Sequence, residues 1–104
     1  MLEDKLYYNK LFDCYEKMFT KTQKEYFTAY FHNDFSLSEI SENMSVSRAA
    51  ISKQLRVIKD SLDLYESNLK LSKLYDTIDY VRFNIDELSK KDIYKIMNRM
   101  SEDE

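Results

Sequence analysis

The sequence predicts an all-α fold, and three observations carry that expectation. The chain of 104 residues contains no glycine and no proline, the two residues that sharp turns, bulges and tight hairpin connections usually need, so a β-rich fold is hard to build from it. Apolar residues recur at three- and four-residue steps, the period of one helix face. Ser, Thr, Asn and Asp stand ahead of the periodic runs, where their side chains can cap the free N–H groups of a helix start. The length is that of one domain. We expect a helix-turn-helix core over residues 1–66 and a helical extension over 67–104, both belonging to the same single domain.

Each element follows from its pattern. Leu6, Tyr8, Leu11, Phe12, Tyr15, Met18 and Phe19 mark the buried face of a first helix. Thr20 and Gln23 have the spacing of a capping box, so a second helix runs from about Lys21 to His32 and buries Tyr26, Phe27, Tyr30 and Phe31. Ser36 and Glu39 repeat the spacing at the start of a two-turn third helix carrying Leu37, Ile40 and Met44. After a step at Asn43, Met44 and Ser45, Ser47 is the N-cap candidate of a fourth helix. Two short helices joined by a turn of three or four residues have helix-turn-helix spacing.

From Ile51 the apolar positions run through Leu55, Ile58, Leu62, Tyr65 and Leu69 in steps of four and three, a heptad stripe. A second stripe, Leu71, Leu74, Ile78, Val81, Ile85 and Leu88, keeps the rhythm but is displaced by two residues, which predicts a break between Asn68 and Ser72 or a change of partner face. One unbroken helix over residues 48–83 would measure about 54 Å at 1.5 Å per residue, more than a chain this small can cover. Packing against a second copy is the remedy, so Leu62, Tyr65, Leu69, Leu71, Leu74, Ile78 and Val81 are the dimerisation candidates and a homodimer is expected. Asn84 or Asp86, then Ser89 with Asp92, offer caps for a last helix holding Ile93, Ile96, Met97 and Met100. The acidic tail Ser101–Glu104 is expected to fray.

Charge bounds the function. The formal net charge is -3, so nucleic-acid binding has to rest on local charge. From Ser45 to Lys59 the charged residues are Arg48, Lys53, Arg56 and Lys59, all basic, in a chain that is otherwise acidic. In a DNA-binding helix-turn-helix the start of the second helix enters the major groove. Ser47, Arg48, Ala49, Ser52, Lys53, Arg56 and Lys59 are therefore the candidates for nucleic-acid contact: Arg48 to pair with guanine or clamp a phosphate, Ser47 and the free N–H groups to hold a phosphate, Ala49 to permit close approach. The plainer alternative is a solvated polar face on a helix that only packs.

Other chemistries lack their residues. Tyr7, Tyr8, Phe12, Tyr15, Phe19, Tyr26, Phe27, Tyr30, Phe31 and Phe35 sit at helical spacing in the segments that must supply the core, so they read as packing rather than base stacking. Cys14 and His32 are each the only residue of their kind, too few for a structural zinc site or for Cys-His and Ser-His-Asp catalysis. Without glycine there is no phosphate-cradling loop. No enzyme, metal or cofactor is expected. Charged residues throughout positions 1–19 argue against a secretory leader, and no stretch approaches the roughly 20 apolar residues of a membrane span. A cytoplasmic location is the expectation.

The run from Ser36 to Ile51 resembles the helix-turn-helix of region 4 of bacterial sigma factors. More closely, Leu11-Phe-Asp-Cys-Tyr15, Phe19-Thr-Lys-Thr-Gln23, Phe35-Ser-Leu-Ser-Glu-Ile40 and Val46-Ser-Arg-Ala-Ala-Ile51, in that order, resemble the YlxM-like family over about residues 5–75. The resemblance implies a small sigma-region-4-like all-helical protein, linked by gene neighbourhood to the signal recognition particle GTPase and its receptor, with a regulatory part in that pathway. Two departures stand out. Ser41 occupies a place where many helix-turn-helix sequences carry Ala, and Ser45 one where Gly would ease the turn, at a cost on the order of 1 kcal/mol for a positive φ. With the basic window on the second helix of the motif, the leading expectation is a helix-turn-helix regulator contacting DNA or RNA; the acidic overall balance and the two Ser residues favour the alternative, a protein-interaction factor touching the signal recognition particle GTPase or its RNA. A helical dimer with no nucleic-acid partner is the third possibility.

Overall fold

In a computed structural model of the chain, residues 2–102 are described, with side chains from residue 4. The elements are α1 (Leu2–Tyr15), a 3-10 turn (Glu16–Met18), α2 (Lys21–Phe27) continued by a π-helical turn (Thr28–His32), α3 (Leu37–Met44), α4 (Arg48–Leu69), α5 (Leu71–Phe83) and α6 (Lys90–Glu102). No strand occurs among the described residues, and the fold is all-α. Residues 103 and 104 of the tail lie outside them, while the helix carries through Ser101 and Glu102.

Side-chain caps start four of these helices. Thr20 with Gln23 and Ser36 with Glu39 form reciprocal capping boxes. Ser89 and Asp92 exchange the same pair of bonds at 3.0 and 3.1 Å, and the Ser47 hydroxyl accepts from the Ala50 N–H at 3.1 Å. Asn84, which the sequence offered as a possible start for the last helix, instead ends α5: its backbone N–H and its side-chain amide both donate to the Tyr80 carbonyl. Residues 84–87 are turn, so Ile85 and Leu88 leave the second apolar stripe.

The chain divides into two compact units, one up to Leu69 and one from Lys70. In the first, α1, α2 and α3 all pack on α4. The apolar stripe of α4, Ile51, Leu55, Ile58 and Leu62, is buried, and Leu11, Phe27 and Ile40 are enclosed with it. The Phe12, Phe27 and Phe31 rings stack in series, with centroids 4.1 and 4.6 Å apart. Two polar ties cross the edge of this core. Asn9 donates to the Phe31 carbonyl at 2.8 Å, and the Tyr15 hydroxyl donates to Glu66 at 2.7 Å.

Several expectations about burial need correction. Leu6 and Met18 are 63% and 59% exposed. The α-helical period ends at Tyr15, and the tighter 3-10 turn rotates Met18 off the core side before Phe19 resumes it in extended backbone. The second helix widens into a π turn, closed by the Asn33 N–H on the Thr28 carbonyl at 2.9 Å. That shift brings Ala29 into the core and leaves Tyr30 half-buried. Tyr7 and Phe35 are exposed rather than core residues.

Two dimerisation candidates are spent within the chain itself. Leu62 is wholly buried, and half-buried Tyr65 lies against the rings of Tyr15 and Phe19 at 5.7 and 6.0 Å. The sequence stripe marked their apolar character correctly but not that Tyr15 and Phe19, on either side of the 3-10 turn, would stand against Tyr65. In the second unit α5 packs with α6, and Lys70, at φ 55° and ψ 34°, is the single residue between α4 and α5, inside the predicted break.

Because Leu62 is enclosed where α1 meets α4, truncation to Ala is expected to cost about 2–5 kcal/mol. Urea unfolding followed by circular dichroism reads this. A loss below about 0.5 kcal/mol would mean that the site collapses without a cavity.

Candidate nucleic-acid interface

The corner between α3 and α4 is built by three serines. Ser45 adopts the left-handed conformation (φ 54°, ψ 42°) that ends α3, a conformation that Gly enters without steric cost and Ser does not. The Ser41 hydroxyl donates to the Val46 carbonyl at 2.6 Å, and the Val46 N–H donates to the Ser41 carbonyl at 3.3 Å. An Ala at position 41 would lack this tie, so the departure from the usual residue strengthens the corner. Ser47 then caps α4. Ile40 and Ile51, both fully buried, lock the two helices together.

This arrangement presents the start of α4 outward. Ser47, Arg48, Ala49, Lys53 and Arg56 are exposed, and Ser52 and Lys59 are half-buried. At 3.6 residues per turn Arg48, Ala49, Ser52 and Arg56 share one side of the helix, Lys53 flanks them, and the buried stripe occupies the other side. Among the described residues, the side chains of Arg48, Lys53 and Arg56 enter no ion pair or hydrogen bond within the chain. The first turn of α4 holds no acidic residue, so its positive dipole end adds to the charge of Arg48.

Lys59 behaves differently from its three basic neighbours. Its ammonium stands 4.9 Å from the centre of the Tyr8 ring, a cation–π contact, and the Tyr8 hydroxyl donates to Asp63 at 2.9 Å. Asp60 and Asp63 follow the basic window on the same side of α4. With Lys5, Tyr8, Tyr30, Ser52, Arg56 and Lys59 they line a cleft of about 360 Å³ between α1, the π turn and α4. The one-signed surface therefore ends near Arg56. A window closed at Lys59 did not reveal this, but Asp60 and Asp63, one turn further on the same face, are the signal that shows it.

Of the dimerisation candidates outside the core, Leu69, Leu74 and Ile78 are exposed, and Leu71 and Val81 are half-buried. Among the described residues no group of three His, Cys, Asp or Glu gathers to hold a metal ion. No helix is long and apolar enough to cross a membrane.

Comparison with known proteins fits this geometry. A family model described as "Putative helix-turn-helix protein, YlxM / p13 like" matches residues 2–100. The chain belongs to this family, UPF0122. The UPF0122 protein TTE1463 of Caldanaerobacter subterraneus subsp. tengcongensis is 41% identical over 73 residues, which is 70% of this chain and 62% of that protein. The UPF0122 protein lmo1802 of Listeria monocytogenes is 42% identical over 67 residues, 64% of this chain and 61% of that protein. The UPF0122 protein ABC2295 of Shouchella clausii is 36% identical over 77 residues, covering 74% and 71%. The chain thus spans about three-fifths of the length of the first two of these relatives.

Two outcomes test the local chemistry. Replacing Ser41 with Ala removes one hydrogen bond at the corner and is expected to cost about 1 kcal/mol in chemical unfolding; no change would mean that water or another donor serves the Val46 carbonyl equally well. Burial, then the hydrogen bond and charge of Asp63, push the Tyr8 hydroxyl from 10.0 up to about 12. A raised pKa stabilises the protonated folded form. That contribution is complete below pH 10.0 and is lost as pH rises through about 12. Asp63→Asn is expected to bring the late tyrosinate absorbance transition down toward the ordinary range. An unmoved transition would remove Asp63 as a cause.

Proposed function

We propose that this helix-turn-helix protein is a non-enzymatic, cytoplasmic regulator that binds DNA through the start of α4. The observation that carries the reading is the outward, unpaired set Arg48, Lys53 and Arg56 on a helix whose opposite side is fully occupied by the core. Ser47 and the free N–H groups of the first turn hold a phosphate, Arg48 reaches a base edge or a second phosphate, and Ala49 and Ser52 leave room for close approach. Lys53 and Arg56 take phosphates along the groove wall. Asp60 and Asp63 repel the backbone further along, so α4 meets the duplex with its stretch from Arg48 to Arg56. Lys59, engaged with Tyr8, positions α4 more than it contacts nucleic acid. RNA presents the same phosphates, and an RNA target is a variant of this reading.

A second reading is favoured by the net charge of -3 and by the acidic residues bordering the basic set. In it the same surface docks on the signal recognition particle GTPase or its RNA, and the protein is an accessory factor of that pathway. An electrophoretic shift on DNA at physiological salt, set beside a pull-down on the GTPase, separates the two.

The triple charge reversal Arg48→Glu, Lys53→Glu and Arg56→Glu tests the surface itself. Loss of three phosphate contacts is expected to lower DNA affinity at least about 100-fold and to flatten the slope of log K against log salt by about 3. The thermal midpoint should stay where it is, because none of the three side chains is buried. Unchanged affinity in the triple variant excludes this surface as the contact.

A further inference from the structure

The cleft beside α4 holds about 360 Å³, at the lower end of the roughly 300–1,000 Å³ that small-molecule sites occupy. Its inner wall is apolar. Phe31 and Leu55 are buried there and Leu37 is half-buried, and the Tyr8 and Tyr30 rings flank Phe31 with centroids 5.9 and 5.1 Å away. The rim is charged and balanced, with Lys5, Arg56 and Lys59 against Asp4, Asp60 and Asp63. Part of that charge is already engaged. Lys5 pairs with Asp34 at 2.9 Å and stands over the Tyr30 ring, Lys59 stands over Tyr8, and Asp63 accepts from the Tyr8 hydroxyl. Ser52, Arg56 and Asp60 follow one another at four-residue steps on one side of α4. Among the described residues their side chains enter no ion pair or hydrogen bond within the chain. Arg56 and Asp60 thus have opposite charges at the spacing of a helical ion pair and do not close on each other; Arg ahead of the carboxylate is the weaker order for such a pair.

We propose that this cleft binds a free α-amino acid with an apolar side chain, held as its zwitterion. Arg56 takes the carboxylate through its fork of N–H donors, the Ser52 hydroxyl donates to the same group, and Asp60 accepts from the ammonium. Four residues apart on a helix, Arg56 and Asp60 have Cβ atoms about 5–6 Å apart, a gap that one compact molecule carrying both charges bridges. The side chain of the ligand lies on Leu37, Leu55 and the edge of Phe31, where the apolar area it removes from water supplies the affinity. A rim with equal numbers of both signs gives no advantage to a ligand of large net charge, so a polyanion fits it less well than a molecule that is neutral overall. The inference does not rest on the nucleic-acid reading, since the ligand meets the chain in the absence of DNA.

Nuclear magnetic resonance titration of the full chain with L-leucine and with L-phenylalanine tests it. The expected result is saturable movement of the amide signals of residues 30–37 and 52–63, with a Kd of about 1 mM or tighter. Glycine, which lacks the side chain, is expected to bind at least about 10-fold more weakly, as are 3-phenylpropionate and phenethylamine, which each keep one charge of phenylalanine. Arg56→Gln and Asp60→Asn, both at exposed positions, are each expected to lose about as much while the thermal midpoint holds. Absence of saturation by both amino acids up to about 20 mM overturns the proposal. So does a single-charge analogue that binds as tightly as phenylalanine, a comparison made on the unaltered chain, and so does full affinity in either variant.

Discussion

Burial of one side of α4 is the constraint on which the first unit depends. Ile51, Leu55, Ile58 and Leu62 lie on that side, and α1, α2 and α3 are arranged so that each reaches it. Four such side chains bring roughly 6–12 kcal/mol of apolar transfer free energy, comparable to the whole net stability of a small domain. The same fact determines the orientation of the helix. With its apolar side held by three neighbours, the start of α4 has no rotational freedom, and Arg48, Lys53 and Arg56 face outward as a consequence of packing rather than of any contact they make.

Electrostatics then divides α4 along its length. The stretch from Arg48 to Arg56 is basic and exposed, and Asp60 and Asp63 follow on the same side further along. Between them Lys59 and Tyr8 couple α4 to α1 through a ring contact and a hydroxyl–carboxylate bond. A chain with a net negative charge can thus carry a short positive surface without a field strong enough to gather nucleic acid along its whole body.

Much of the fold was legible because capping and helical period are local. Thr20 with Gln23, Ser36 with Glu39, and Ser89 with Asp92 each start a helix where their spacing predicts. What escaped was set by partners distant in sequence. Nothing near Tyr65 says that Tyr15 and Phe19 will cover it, and nothing near Met18 says that a 3-10 turn will rotate it outward. The π turn at Thr28–His32 is likewise imposed by packing, which draws in both Ala29 and Phe31 at the expense of Tyr30. For the candidate interface the basic window was visible in the charge pattern. Its boundary was legible in part: Asp60 and Asp63 stand in the charge pattern, but the engagement of Lys59 does not, because it depends on Tyr8, some 50 residues earlier.

Asp34, Ser45 and Lys70 hold positive φ in a chain with no glycine at all. At each of them the surrounding helices, not the residue's own preference, dictate the backbone. Of these three corners Ser45 forms a latent reserve: it is a position where a lineage drifting toward glycine codons could gain backbone stability from the exchange, whereas Asp34 would give up its ion pair with Lys5. Most sites within the helices would lose by the same change, so a history of base composition would be written unevenly along this chain, with the corner at Ser45 changing first.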